Sequence, residues 1–340
     1  MPNQAYCESC AAVGNALWDE RLFRLHADAK YLDVMERIVY NGLLSGISLR
    51  GDRFFYQNPL QMAAARGGRR SGGEGDDTGA STGAEGPRQP WFDVACCPAN
   101  LARFVAQFPG FIYATGKDEV YVNFFVGSRA EFDLNGSKVT VKQETRYPWE
   151  GDVKLTLEPE KAGSFTVNVR LPEWATGQAL PGDLYSYQSE PTTAAIPEPI
   201  RLSVNGAEEK LNVRDGFITL RRAWKKGDVI ALHLPMEIRR AKANSKVEAD
   251  RGRVVIERGP LVYCVEGVDN GGKVLEREIP TASPMEAKFQ PDLLGGIAVI
   301  KGRWADGKDL IAVPYSTWGN RGNNEMSVWL RTNSTEEHQE

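Results

Sequence analysis

Apolar residues recur at the helical period of about 3.6 residues in the first third of the chain. They form one stripe over residues 11–25 and a second over residues 30–44, which Gly46 ends. A third helix is predicted over residues 98–107, because proline suits the first helical position and a Pro-Gly pair follows. The aromatic run at 54–56 predicts a short strand or loop lying over these helices.

From about residue 114 the apolar residues alternate with period two, which is typical of half-buried strands. Asn135-Gly136 and Asn205-Gly206 are predicted hairpin turns, and residues 153–157 and 165–171 are predicted to pair with each other. Repeated short strands with turns between them favour an antiparallel β-sandwich. A long loop is predicted over 176–199, and the polar last ten residues are expected to fray. A hairpin is predicted over 131–144, and the other predicted strands span 120–126, 153–157, 165–171, 201–204, 217–220, 229–234 and 254–257.

The chain therefore divides into two parts, an α + β multidomain arrangement. Residues 1–113 are predicted to be helical, and residues 114–335 to form a β-sandwich region. Within the helical part, residues 66–90 are rich in glycine and have no apolar period. This stretch is predicted to be a flexible surface loop.

Composition and charge exclude several classes of function. With 340 residues, 41% hydrophobic, 25% charged and a net charge of −4, the chain gives no case for binding nucleic acid or an anionic membrane. No apolar run approaches the roughly 20 residues that span a bilayer. The first residues have neither a basic start nor an apolar core, so no signal peptide is predicted and we expect a cytoplasmic location.

The five cysteines are too few for a disulfide scaffold, and four of them fall into two tight clusters. Cys7 and Cys10 flank Glu8, while Cys96 and Cys97 are adjacent at a predicted helix start; Cys264 stands alone. Helix starts favour thiolates, because free amides and the helix dipole stabilise negative charge there. The clusters therefore indicate metal or catalytic chemistry, although two adjacent cysteines can also be small buried apolar residues.

Two zinc sites are compatible with this spacing. Cys7, Cys10, Cys96 and Cys97 would form a four-thiolate site. Alternatively, Glu8 and Cys10 could share a ligand just ahead of the first helix, because positions i and i+2 point the same way in extended backbone. The second set has one carboxylate and three thiolates, and spacing alone does not choose between the two.

No other familiar constellation is visible in the sequence. The histidines His26, His233 and His338 are scattered, and each is expected to be an ordinary surface or core residue. There is no phosphate-binding loop, dinucleotide fingerprint or Ser/His/Asp arrangement.

Four segments resemble a known family. Residues 5–14 (AYCESCAAVG) are similar to the E-x-C-A-x-x-G segment of the β-L-arabinofuranosidase family, glycoside hydrolase family 127, once called DUF1680. Residues 91–103 (WFDVACCPANLAR) resemble its C-C-P-x-N-x-x-R segment, and residues 258–264 and 313–322 match further motifs in order. The resemblance covers almost the whole chain.

The resemblance implies the C-terminal part of an (α/α)6 barrel followed by β-sandwich. It also implies a Zn²⁺ ion held by Glu8, Cys10, Cys96 and Cys97, with Cys96 as the nucleophile of a retaining, exo-acting glycoside hydrolase. Tyr56 is similar to a substrate-pocket tyrosine of the family. The implied partner is an arabinose-containing oligosaccharide or glycoconjugate.

One feature departs from the family pattern. The family's general acid/base is a glutamate shortly before the E-x-C segment, whereas none of the seven residues before Glu8 is acidic. We therefore expect a truncated form whose partner is a missing N-terminal half of the same enzyme. The alternatives are a non-catalytic carbohydrate-binding or structural zinc module, and a related hydrolase of different sugar specificity.

Overall fold

Three α-helices lie in the first third of the chain. The computed structural model describes residues 2–64, 87–134, 136–188 and 198–333. The helices are α1 (Ser9–His26), α2 (Ala29–Arg37) and α3 (Cys96–Gln107), and α2 continues into a π-helical turn, Ile38–Leu43, and a 3-10 turn, Leu44–Gly46. The three predicted helices are confirmed, including the stop at the glycine.

The helix starts differ from the predictions. Helix α1 begins at Ser9, with Glu8 as its extended N-cap, so Cys10 is already helical rather than part of an extended segment. The cause is tertiary, because Glu8 forms an antiparallel bridge with Gln57 that holds the chain extended up to the helix start. Helix α3 begins two residues earlier than predicted, which makes Pro98 its third residue.

The regular elements of the remaining described chain are mainly β-strands, and the α + β class is confirmed. The strands are β1 (Gln61–Met62), β2 (Tyr113–Thr115), β3 (Glu119–Val122), β4 (Ser128–Leu134), β5 (Ser137–Thr145), β6 (Asp152–Pro159), β7 (Gly163–Arg170), β8 (Tyr185–Tyr187), β9 (Arg201–Val204), β10 (Ala207–Glu208), β11 (Val213–Arg214), β12 (Phe217–Trp224), β13 (Asp228–His233), β14 (Ile238–Ala243), β15 (Arg253–Arg258), β16 (Leu261–Glu266), β17 (Glu278–Ile279), β18 (Glu286–Gln290), β19 (Ile297–Arg303), β20 (Asp309–Pro314), β21 (Met326–Ser327) and β22 (Leu330–Thr332).

Two sheets of the middle region share one hydrophobic core. The first has the order β10-β9-β13-β6-β5-β4 and the second the order β11-β12-β7-β3-β2. Leu155 and Ile230 from the first sheet and Val167 and Trp224 from the second are all buried in the same cluster. The predicted pairing of 153–157 with 165–171 is wrong, because β6 and β7 lie in different sheets; β7 instead pairs with β12 over eight residues.

The predicted hairpin at Asn205-Gly206 is confirmed, because Val204 lies opposite Ala207. At the other predicted hairpin Leu134 lies opposite Ser137, and Asn135 lies outside the described residues. Asn205 and Gly206 both have positive φ angles, 52° and 83°, which asparagine and glycine tolerate and which suit a tight hairpin. Antiparallel pairing dominates, but β3 with β7 and β17 with β22 are parallel pairs.

A third, branched sheet of eleven strands forms the C-terminal region. Its main path is β17-β22-β15-β16-β20-β19-β18, and β1, β8, β14 and β21 attach at its side. Strand β8 lies inside the predicted loop 176–199 and pairs with β14, which the sequence pattern missed. The last strand, Leu330–Thr332, lies partly within the tail that was expected to fray.

The helices pack on one another and on the middle sheets. Val13, Leu32 and Leu101, one from each helix, are fully buried in a cluster that also contains Phe217 of β12. Arg170 of β7 is completely buried and forms ion pairs with the α2 carboxylates, including one to Asp33 at 2.6 Å. Among the described residues, no helix is long and apolar enough to cross a membrane.

Of the predicted flexible loop 66–90, residues 66–86 lie outside the described residues. Its last residues are described, and there Arg88 is buried and Gln89 forms a bridge with Phe54. The aromatic run at 54–56 is an irregular segment with isolated bridges, one of the two alternatives that its sequence predicts.

Candidate metal centre

Four side chains from distant parts of the sequence meet where α1 and α3 begin. One ligand atom of each of Glu8, Cys10, Cys96 and Cys97 lies within 4.8 Å of the others. We call these four residues the Glu/Cys cluster. Cys7 is outside this group, and Cys264 is buried in the C-terminal region on β16.

Backbone hydrogen bonds position the first half of the cluster. The Ser9 amide donates to the Tyr56 carbonyl at 2.9 Å, and the Asn58 amide donates to the Cys7 carbonyl at 2.8 Å. These bonds flank the bridge between Glu8 and residue 57 and fix the chain as it enters α1. Glu8 is therefore held just ahead of the helix, and Cys10 lies in its first turn.

The start of α3 positions the second half. The Sγ atoms of Cys96 and Cys97 lie 3.8 Å apart, and the Cys97 Sγ lies 3.8 Å from the Tyr56 carbonyl oxygen. One turn further along, Asn100 donates a hydrogen bond of 3.0 Å to the Cys10 Sγ. Helix α3 thus supplies two sulfur atoms and the donor that orients a third, a role for Asn100 that sequence reasoning missed although it lies inside the recognised motif.

Tyr56 contacts the cluster through its side chain as well as through its backbone carbonyl. Its hydroxyl oxygen is 3.5 Å from the Cys96 Sγ. Its ring meets that of Phe92 edge-on, with the two centroids 5.7 Å apart. Cys97 is fully buried, whereas Cys96 is only half-buried, so Cys96 is the more accessible member of the pair.

The surroundings shift the pKa values of the three cluster thiols in different directions. The hydrogen bond with Tyr56 lowers the pKa of Cys96, although partial burial acts against it. Burial raises the pKa of Cys97. Burial also raises the pKa of Cys10, and the hydrogen bond from Asn100 opposes this rise without cancelling it. The pKa of the Tyr56 hydroxyl is raised by its hydrogen bond with Cys96 and by the nearby Glu8 carboxylate. Cys96 is thus the cysteine of the cluster with the strongest tendency to ionise.

This group could hold a metal ion. It combines a carboxylate with three thiols, the donor types that zinc binds in proteins. Zinc–sulfur bonds of about 2.3 Å at tetrahedral angles place two sulfur atoms about 3.8 Å apart. The Cys96–Cys97 separation of 3.8 Å has this length.

A cavity of about 530 Å³ borders the other side of the α1 start. Its walls come from α1, α2 and the C-terminal sheet, and Cys7, Glu8 and Trp329 are among them. The cavity does not reach the three cluster cysteines, which are absent from its walls. Cys7 thus faces a cavity that Glu8 shares but that the three cluster cysteines do not border.

The histidines lie elsewhere. His26 ends α1 and stacks on Tyr31 with 5.8 Å between ring centroids. His233 lies on the outer face of the six-stranded sheet, between Asp152 at 2.7 Å and Glu198 at 2.8 Å. His338 lies outside the described residues.

Three models of one protein family match the chain in order. They are the glycoside hydrolase family 127 (GH127) β-L-arabinofuranosidase catalytic domain over residues 1–110, the GH127 middle domain over 119–236 and the family 127 C-terminal domain over 238–331.

Individual relatives agree with the family models. The chain is 32% identical to a non-reducing end β-L-arabinofuranosidase of Bifidobacterium longum subsp. longum, over 97% of this chain and 50% of that protein. A solved GH127 β-arabinofuranosidase is 41% identical with a TM-score of 0.86, over 98% of this chain and 50% of that one. A GH127 β-L-arabinofuranosidase from Geobacillus stearothermophilus T6 is 35% identical with a TM-score of 0.81, over 98% of this chain and 51% of that one.

The chain spans about half the length of the relatives that it matches. Within that half the three domain models follow one another in order between residue 1 and residue 331. Both the family models and the structural similarity lead to the same assignment, and the chain belongs to glycoside hydrolase family 127.

Proposed function

We propose that this chain carries the nucleophile and metal site of a zinc-dependent, retaining glycoside hydrolase of the β-L-arabinofuranosidase type. The observation that carries the proposal is the placement of Cys96. Its half-buried Sγ lies 3.8 Å from the Cys97 sulfur and 3.5 Å from the Tyr56 hydroxyl, inside a group of four metal-binding side chains.

The donor set supports zinc as the metal. Glu8 would supply one oxygen, and Cys10, Cys96 and Cys97 would supply three sulfurs, which completes the four-coordinate shell that zinc favours. When bound, zinc would keep the thiols deprotonated at neutral pH, because the metal stabilises the thiolate form. Cys7 is outside the group, which supports the carboxylate-containing set over the four-cysteine set.

Cys96 is the proposed nucleophile for two reasons. Cys97 has no exposed surface, so a sugar could not reach its sulfur without rearrangement of α3. Cys96 is accessible, and its pKa is lowered by the Tyr56 hydrogen bond, which favours the reactive thiolate.

The proposed reaction has two steps. The Cys96 thiolate attacks the anomeric carbon; a carbon–sulfur bond forms, the glycosidic carbon–oxygen bond breaks, and the leaving oxygen takes a proton from a general acid. Water then attacks the same carbon from the opposite face, the carbon–sulfur bond breaks, and the water's proton returns to the conjugate base. Two inversions give net retention, as in retaining glycosidases that use a carboxylate.

The general acid is proposed to come from outside this chain. Glu8 is the single carboxylate of the Glu/Cys cluster, and as a metal ligand it would not be free to donate a proton. The relatives are about twice as long, which supports an acid supplied by a missing N-terminal half. We also propose that the helices are the C-terminal part of an (α/α)6 barrel. The two middle sheets share one hydrophobic core, which supports the proposal that they form a β-sandwich.

The proposed substrate is an arabinofuranose-containing oligosaccharide or glycoconjugate. The relatives are named as β-L-arabinofuranosidases, and one as acting at the non-reducing end. Tyr56 is the proposed substrate contact, since its hydroxyl lies beside the Cys96 sulfur where the sugar would bind.

The test uses a leaving group that needs no protonation. A 2,4-dinitrophenyl β-L-arabinofuranoside releases a stable phenolate, so the first step can proceed without the general acid. The whole chain loaded with zinc is expected to release about one phenolate per chain in a burst and then slow down. Cys96→Ser should give no burst, while the control Cys264→Ser should keep it. Equal bursts from both variants would remove Cys96 from the mechanism.

A second function has one observation in its favour. Four protein donors complete the zinc shell, as they do in structural sites. Such a non-catalytic zinc module would bind one zinc ion per chain and melt earlier without it, but would give no burst with the activated substrate. A burst with another activated pentoside and none with the arabinoside would instead indicate a related hydrolase of different specificity.

A further inference from the structure

A stack of three buried side chains lies directly behind Tyr56. The rings of Phe55 and Trp318 are stacked, with centroids 5.1 Å apart and an angle of 12° between their planes. The guanidinium carbon of Arg88 lies 4.5 Å from the Phe55 ring centroid. Arg88 and Trp318 are each 1% exposed, so the stack joins the helical part to the C-terminal region in a buried contact.

Arg88 also binds both parts through hydrogen bonds. Its Nε and Nη2 donate to the Ser45 carbonyl at 3.1 and 2.8 Å, and its Nη1 donates to the Trp318 carbonyl at 2.8 Å. A buried charge is costly unless it is hydrogen-bonded, and these carbonyls supply the required partners. Arg88 therefore links the turn after α2 to the C-terminal motif over residues 313–322.

Gly319 makes room for this link. A Cβ added there would lie 3.3 Å from the Arg88 Nη1 and 3.1 Å from a Pro87 side-chain carbon. Its φ of 68° also favours glycine. The contact with Arg88 thus gives a packing reason for the Trp-Gly pair of the C-terminal motif.

From this link a chain of hydrogen bonds runs to the Glu/Cys cluster. The Ser45 hydroxyl donates to the Asn58 side chain at 3.2 Å, and Asn58 donates to the Ser9 hydroxyl at 3.1 Å. The Ser9 hydroxyl donates to the Phe55 carbonyl at 2.8 Å. Ser9 lies between the proposed ligands Glu8 and Cys10, so this network ends at the metal-binding segment itself.

The 55–58 segment supports both halves of the cluster. The Tyr56 carbonyl accepts from the Ser9 amide at 2.9 Å and lies 3.8 Å from the Cys97 sulfur. A displacement of this segment would therefore move α1 and α3 relative to each other. Metal sites are sensitive to such outer contacts, whose loss typically weakens metal binding 10- to 100-fold.

We propose that Arg88 is a positioning residue. Together with Phe55 and Trp318 it fixes the 55–58 segment, and through that segment it sets the relative placement of the two halves of the Glu/Cys cluster. The use of the cluster for zinc rests on the proposed function, whereas the positioning itself does not depend on the metal.

The experiment compares Arg88→Met and Trp318→Leu with two matched controls in the whole chain. Arg240 is a buried arginine that donates to the Pro280 carbonyl at 2.6 Å. Trp304 is a buried tryptophan that donates to Asn270 at 3.1 Å. Arg240→Met and Trp304→Leu therefore disturb the C-terminal core in a similar way without touching the stack.

Two readouts separate positioning from general stability. Hydrogen–deuterium exchange of peptides covering residues 54–60 and 7–12 should speed up in Arg88→Met and Trp318→Leu but not in the controls. Zinc affinity, measured by competition with a chromophoric chelator, should fall 10- to 100-fold in the same two variants only. If Arg88→Met does not fold, Arg88→Lys should show the same changes, because lysine lacks the planar fork of donors. The changes should be weaker than in Arg88→Met, because lysine keeps a charged donor.

The outcomes are distinguishable. Unchanged exchange in both peptides, or the same change in the controls, would overturn the positioning role. If the wild-type chain binds no zinc while exchange still rises only in the two stack variants, the proposed zinc function fails and the positioning role stands.

Discussion

Asn100 donates a hydrogen bond of 3.0 Å to the sulfur of Cys10, ninety residues away in sequence. Helix α3 therefore contributes to the cluster three times in its first turns, through two sulfurs of its own and the orientation of a third. Since a thiolate accepts more strongly than a thiol, this bond would strengthen when Cys10 is ionised or metal-bound.

Asn100→Ala should weaken zinc binding by about 10-fold or more, because it removes the donor that orients Cys10. The measurement is the zinc dissociation constant from chelator competition. Asn15→Ala, at an exposed position on α1, is the control and should bind zinc as the wild type does. Equal affinities for Asn100→Ala and the wild type would show that the bond has no role in metal binding.

The two cysteines near the start of the chain should behave differently when substituted. Cys10→Ser is expected to lose bound zinc, because it removes one of the four donors. Cys7→Ser should retain one zinc ion per chain, because Cys7 is outside the cluster and borders the cavity instead. Metal content after gel filtration, measured by atomic emission, decides the question. Zinc loss in both variants would favour the four-cysteine alternative, in which Cys7 is also a ligand.

Removal of zinc should lower the melting temperature. The cluster joins the starts of α1 and α3, so a metal that binds only the folded state stabilises it by mass action, by about 2.7 kcal/mol when free zinc is 100 times its dissociation constant. Calorimetry of the zinc-loaded chain and of the chain treated with a chelator should show a difference of several degrees. Cys10→Ser should show none. Identical melting of the loaded and stripped wild type would contradict a zinc site here.

A buried carboxyl on α1 should make stability depend on pH. Asp19 is 6% exposed, its Oδ2 has no hydrogen-bond partner among the described residues, and burial raises its pKa to about 6. The unfolded pKa is about 3.9, so the folded state binds the proton more tightly, and this contribution to stability is lost as the pH rises from about 4 to 6.

Asp19→Asn should remove that loss and stabilise the chain by about 1–2 kcal/mol above pH 7, while it changes little near pH 4. Urea unfolding at both pH values provides the measurement. Asp183→Asn, at an exposed position, should shift stability equally at both pH values or not at all. A variant that is no more stable than the wild type at pH 8 would show that the carboxyl is solvated in the folded chain.

Local signals in the sequence predicted the elements well. The helical stripes, the stop at Gly46 and the Asn205-Gly206 turn are confirmed, because each depends on residues that are neighbours in the chain. The placement of Cys96 and Cys97 at a helix start follows from the same kind of signal.

Long-range relationships were not predictable from one sequence. Strands β6 and β7 are close in sequence but belong to different sheets, in which β7 pairs with β12 and β6 pairs with β5. Arg88 lies at the end of a glycine-rich stretch that predicts a loop, yet its partners at Ser45 and Trp318 bury it. The role of Asn100 likewise depends on a cysteine ninety residues away. In each case the contact that decides the structure is tertiary, and neither the hydrophobic period nor the local composition of the sequence indicates it.

The most direct test of the central claim is the location of the covalent adduct. The zinc-loaded chain is incubated with the 2,4-dinitrophenyl β-L-arabinofuranoside, quenched in acid and digested, and the peptides are sequenced by mass spectrometry. We predict one pentosyl group per chain, attached to Cys96 and absent when the substrate is omitted. An adduct on Cys97, on Cys7 or on a carboxylate, or phenolate release without any adduct, would contradict the assignment of Cys96 as the nucleophile.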